Sequence, residues 1–261
     1  MALSESSSAE PMDVNSHQPF PWPNSPQEPE GWKAEQLAAE AMASDLSKWI
    51  VFDPSECGAD EIDKFLQINS PSVIQRSDGI GWISVLGPQF MEERPWQVED
   101  EDKEGLQQAW EDMQNSGRPI TFETVLDLAR AHKCLSGKWL FHMDTGIKVD
   151  HAWASIAKAV VSGECGMSAK VSPHEDDGRA RPRHVICVYN WDFTDEDTII
   201  ELEAGIRRAG IKCHMTYKPD AFTYMGIYRN NKWSLRPAIY ASEYDLSHRR
   251  SKVTAVYETK R

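Results

Sequence analysis

At 261 residues, 40% apolar and 26% charged, the chain has the composition of a soluble globular protein and the length of one sizeable domain or two small ones. No apolar run approaches the roughly 20 residues of a membrane helix, and five cysteines without short spacings argue against a disulfide framework and a zinc site. Charge is uneven within the net −13: residues 1–50 carry 2 basic and 8 acidic side chains, 51–178 carry 11 and 23, and 179–261 reverse the balance with 15 and 10, so only the last third suits a polyanion.

Residues 1–31 are rich in Ser, Pro and Glu and are expected to form a disordered tail. With no secretory or transit-peptide pattern there, the expected setting is cytoplasmic, the nucleus being also in keeping. An Ala-rich stretch, 33–48, places Leu37, Ala41 and Leu46 on one helical face, and Trp49 to Phe52 reads as buried. A short helix over 59–68 presents Ile62, Phe65 and Leu66. Ile80–Leu86 is a strand, and residues 88–102 form a polar loop with Trp96 exposed and an acidic run at its end. Two helices follow, one with the stripe Leu106, Ala109, Trp110 and Met113, the other capped by Thr121 with Val125, Leu128, Ala129 and His132 on one face.

The centre of the chain, 136–164, reads as strand, turn and helix: Trp139 and Phe141 alternate with polar residues, Asp150 suits an N-cap, and Trp153, Ile156, Ala157 and Val160 recur at helical spacing until Gly163. Strands are expected at 166–172 and 184–190, joined by a hairpin-like connection that turns from acidic to basic. A capping box at Thr194–Asp197 opens a helix with the stripe Ile199, Leu202 and Ile206, and a strand covers 211–217. The segments 224–228 and 233–235 flank an Asn pair suited to a hairpin turn, and residues 247–261 read as a basic, frayed tail. The sum is a single α+β domain over 32–246: a curved, mostly antiparallel sheet with about three helices on one face and the other face free for a ligand.

No catalytic, metal or cofactor motif stands out, so neither an enzyme nor a cofactor is expected. The positive signal is basic plus aromatic. Arg179, Arg181 and Arg183 alternate, which in extended chain puts three guanidinium groups on one side, with Tyr189 and Trp191 after the next strand. Phosphates take forked cationic donors and bases take an aromatic face.

The segments AEQLAAEAMASD, SGKWLFHM, DHAWASIAKAVV, AKVSP, VICVY, AGIKC, TYKPD and GIYR resemble the basophilic leukemia-expressed protein family, over about 33–240. That family is similar in fold to the mRNA cap-binding translation initiation factor 4E: Gly137-Lys138-Trp139 resembles the Gly-Arg-Trp of a central strand there, and Trp153 a helical Trp. The resemblance implies a ligand site in which Trp96 stands where a first stacking Trp falls and the three arginines stand for a phosphate clamp. The second Trp-Glu pair of the cap binders is replaced by LDLARAHKCL, and Tyr189 stands for a strand-terminal Trp, so canonical cap binding is not expected. The reading is a non-enzymatic RNA- or nucleotide-binding protein using Trp96, Arg179, Arg181, Arg183, Tyr189 and Trp191. The alternative is a protein-interaction adaptor with a vestigial pocket and a partner on its helical face.

Overall fold

The computed structural model describes residues 34–88, 90, 101–176, 178 and 182–257. Among these, eight strands form one open sheet: β1 (Lys48–Phe52), β2 (Ile80–Leu86), β3 (Gly137–Asp144), β4 (Ser168–Val171), β5 (Arg183–Asn190), β6 (Met215–Pro219), β7 (Tyr240–Asp245) and β8 (Arg250–Ala255). Their order is β1-β2-β4-β5-β3-β6-β7-β8. Every pairing is antiparallel except β1 with β2. A parallel pair needs a crossover, and the segment between these strands supplies one through short helices. The helices are α1 (Ala34–Leu46), α2 (Pro54–Cys57), α3 (Ile62–Ile68), α4 (Lys103–Asn115), α5 (Phe122–Ala131), α6 (Ile147–Val161), α7 (Glu196–Arg208) and α8 (Asp220–Tyr224). None is long and apolar enough to cross a membrane.

Strand alternation divides the sheet into two chemically different faces. On one, Trp139, Phe141, Ile186 and Val188 meet Trp153, Ile156 and Val160 of α6 and Ile199 and Ile206 of α7, all at most 1% exposed. Each large side chain so buried contributes about 1.5–3 kcal/mol. The Trp139 indole donates to the Ile199 carbonyl (2.9 Å), so its N–H is satisfied within the core. A buried ion pair crosses the edge of this core: Glu203 accepts from Arg207 Nε (2.7 Å) and from Ser242 Oγ (2.5 Å), tying α7 to β7. Helices α4, α5 and α8 gather around Trp110 and Phe122, which touch Trp233 and Phe222 edge-on.

Several expectations are corrected. Helix α6 begins a turn before Asp150, with Gly146 at its N-cap, and the Asp150 carboxylate instead accepts from the Ser72 backbone (3.0 Å) and hydroxyl. Asp195, not Thr194, caps α7, because its carboxylate reaches two first-turn N–H groups while Thr194 bonds to Asp192. Residues 225–239 are turns rather than a hairpin, and β6 starts at Met215. Leu46 is 88% exposed; the side chains of Leu37 and Ala41 fall outside the described ones. Residues 250–255 are not a frayed tail: β8 pairs along all of β7, since a strand edge left open by β7 offers backbone partners. The Thr121 cap is present as a reciprocal pair with Thr124, and His132 ends α5 with its Nδ1 3.0 Å from Asp102.

Candidate functional site

The face of the sheet opposite α6 and α7 carries three lysines. Lys138 of β3 stands directly across from Lys218 of β6 on one side and Tyr189 of β5 on the other. Lys170 of β4 lies between Ser84 of β2 and Cys187 of β5, one residue pair further along the same face. All three are more than nine-tenths buried. A buried ammonium is expensive unless it is paired, so the fate of each amine is the central question.

Lys138 is paired. Its Nζ binds Asp220 at the start of α8, and the second carboxylate oxygen of Asp220 accepts from Ser136 Oγ (2.8 Å). Burial pulls the Lys138 amine down, but the Asp220 carboxylate outweighs it and holds the pair charged. Lys170 is paired through α1: Nζ donates to Asp45 Oδ1 at 3.1 Å, and the same oxygen accepts from the Trp82 indole N–H at 3.0 Å. Its Nζ also lies 4.0 Å from the ring centre of Trp82 and 4.6 Å from that of Trp49, so two aromatic faces share its charge. Burial first, then Lys138, still leave this amine below its ordinary value.

Lys218 differs. Among the described residues its Nζ has no carboxylate or hydrogen-bond partner and sits 3.7 Å over the ring of Tyr228. Burial and the neighbouring Lys138 charge depress it well below the ordinary lysine range. Three amines thus meet two carboxylates, Asp45 and Asp220, within a wall of Trp49, Trp82, Tyr189 and Tyr228. The Cys187 thiol lies in the same group; burial raises it despite the two flanking lysines, so it stays protonated.

Of the residues expected from the sequence, Trp96, Arg179 and Arg181 lie outside the described residues. Arg183 opens β5, where its Nε pairs with Asp144 (3.3 Å) and its Nη2 donates to the His142 carbonyl (3.3 Å). Tyr189 sits in the lysine cluster, 5.4 Å from the Lys138 amine to the ring centre. Six residues of extended chain, roughly 20 Å, separate Arg183 from Tyr189, so the structure does not bring the two together. Trp191 stacks on Phe90 (5.6 Å) beyond the end of β5, and among the described residues its buried indole N–H has no partner. The lysines, Asp45, Asp220, Trp49 and Trp82 were not anticipated as a site. Their signal is a single Lys set among apolar residues in each of three strands, KWLF, SAKVS and TYKP.

Solved structures similar to this chain include a C. elegans protein, from the "Complex of C. elegans eIF4E-3 with the 4E-binding protein Mextli and cap analog", at 18% identity and TM-score 0.28, covering 34% of this chain and 52% of that one. A second is a schistosome eIF4E complexed with m7GpppA and 4E-BP, at 15% identity and TM-score 0.30, covering 41% of this chain and 58% of that one. The chain therefore spans little more than half the length of either. The family comparison reaches the strands that hold all three lysines: over residues 97–226, this chain matches the family of basophilic leukemia-expressed protein Bles03.

Proposed function

We propose that this chain is a non-enzymatic binding protein that holds the phosphate end of an RNA or nucleotide on the lysine face of its sheet. The observation that carries the reading is the amine of Lys218, which among the described residues has no carboxylate or hydrogen-bond partner and lies over the Tyr228 ring beside the Lys138–Asp220 pair. A phosphate supplies several acceptor oxygens and the missing negative charge, and a buried polar group without a partner is otherwise costly. Tyr189, Tyr228 and Trp49, each only half-buried, offer ring surface for a base. In this reading Trp191, stacked on Phe90 beyond the end of β5, is a further aromatic surface. Arg183, bound to Asp144, contributes field rather than contact. Burial and the Lys138 charge lower the Lys218 amine, and a bound phosphate favours its protonated form, so affinity rises as pH falls.

The test is a tryptophan-fluorescence titration with a short 5′-phosphorylated single-stranded RNA and with a nucleoside triphosphate, at two salt concentrations. Lys218→Met is expected to weaken binding at least tenfold and to reduce its salt dependence. Equal binding by the wild type and the variant would refute the reading.

A further inference from the structure

Asp45 reaches the lysine face from α1 rather than from the sheet or from α8. It sits near the end of α1, and its Oδ1 takes both the Trp82 indole N–H and the Lys170 ammonium. An N–H and an ammonium converging on one oxygen, flanked by two indole faces, form a corner built for an anion. Among the described side chains of α1, the two large apolar ones near its end face solvent: Met42 is 58% exposed and Leu46 88%. Other ties are the Arg76 hydrogen bond to Ser44 Oγ (2.9 Å) and a close approach to β2, where a Cβ on Gly81 would meet the Ser44 carbonyl at 2.1 Å.

We infer that α1 is a strap over the lysine face and that the Asp45 carboxylate occupies the position of a ligand phosphate oxygen, so that ligand and strap compete for Trp82 and Lys170. This inference rests on the anion-binding reading above and specifies its regulation. The exchange is nearly isoenergetic for Lys170, which trades one anionic oxygen for another. Asp45 and a phosphate cannot share the corner, because both need the same two donors, Trp82 Nε1 and Lys170 Nζ, and two anions there repel. Ligand affinity is then reduced by the fraction of molecules with the strap released. Whatever removes α1 from the sheet — a mutation, a partner that captures it, or modification of the segment before it — tightens phosphate binding.

Three full-length variants test this with inorganic pyrophosphate and the 5′-phosphorylated RNA as probes. Asp45→Asn keeps an acceptor for the Trp82 N–H but removes the charge, and is expected to tighten binding about tenfold. Gly81→Ala leaves every charge in place, pushes Ser44 away from β2, and should tighten binding in the same direction. It decides the matter if Asp45→Asn fails to fold. Saturating probe should raise backbone hydrogen exchange across residues 34–46 of the wild type. Binding to the wild type, lost in Lys218→Met but unchanged or weakened in both strap variants, would overturn the strap and leave the binding reading intact. Absence of binding to the wild type and to both strap variants would overturn both.

Discussion

Replacing Lys218 by Met isolates the energetics on which the site depends. The two side chains are similar in volume, among the described residues Nζ has no carboxylate to be orphaned by its removal, and the Tyr228 ring accepts a thioether as readily as an ammonium. The wild-type fold bears the cost of desolvating this amine next to the Lys138 charge. The variant is therefore expected to be more stable, by about 1–3 kcal/mol at pH 7, within the range seen when buried charge is replaced by apolar groups. The sign with pH follows from proton counting. The folded amine lies below its unfolded value near 10.5, so between the two the unfolded chain binds more protons, and wild-type stability rises with pH. The slope from one group cannot exceed about 1.4 kcal/mol per pH unit. Urea denaturation of both proteins from pH 7 to 10.5 should show the variant's advantage shrinking as pH climbs towards the unfolded value. An advantage that is constant across this range, or a variant less stable at pH 7, would mean that Lys218 is solvated or paired in the fold and would refute the argument.

Glu203→Ala should cost about 3–5 kcal/mol, because it leaves the Arg207 guanidinium uncompensated between α7 and β7 and strips Ser242 of its acceptor; the denaturation midpoint reads it directly. Thr121→Ala should cost about 1 kcal/mol through loss of the reciprocal cap on α5, without affecting ligand binding. His184 is buried with Nδ1 2.8 Å from the Ser172 carbonyl and Nε2 3.1 Å from Thr145 Oγ1. Burial holds it below the ordinary histidine value. Its imidazole should thus titrate below 6.5 by NMR, and the stability it confers should be lost as pH falls from the unfolded value through the folded one.

The elements with strong local signals were legible from the sequence. The stripe from Trp153 to Val160 and the Thr121 cap are dictated within one or two turns of chain, and the structure realises both. Boundaries shifted where two local partners competed: Asp195 displaced Thr194 at the α7 cap, and Gly146 displaced Asp150 at the start of α6. β8 was unreadable because its exposed positions are polar and its pairing partner, not its composition, makes it a strand. The expected Arg–aromatic site depended on proximity in sequence, but extended chain carries Arg183 and Tyr189 to opposite ends of β5.

By itself, the sequence determined an α+β chain with an amphipathic central helix, and it supplied the segments SGKWLFHM, AKVSP and TYKPD that carry the family resemblance. Each of those segments contains one lysine, which on a single strand reads as an ordinary outward-facing residue. Only strand order decided their meaning. Register sets Lys138 against Lys218, β4 brings Lys170 to the same face, and α8 and α1 deliver two carboxylates from distant parts of the chain. The excess buried charge belongs to that assembly, because desolvation and amine-to-amine distance do not exist until the sheet is formed.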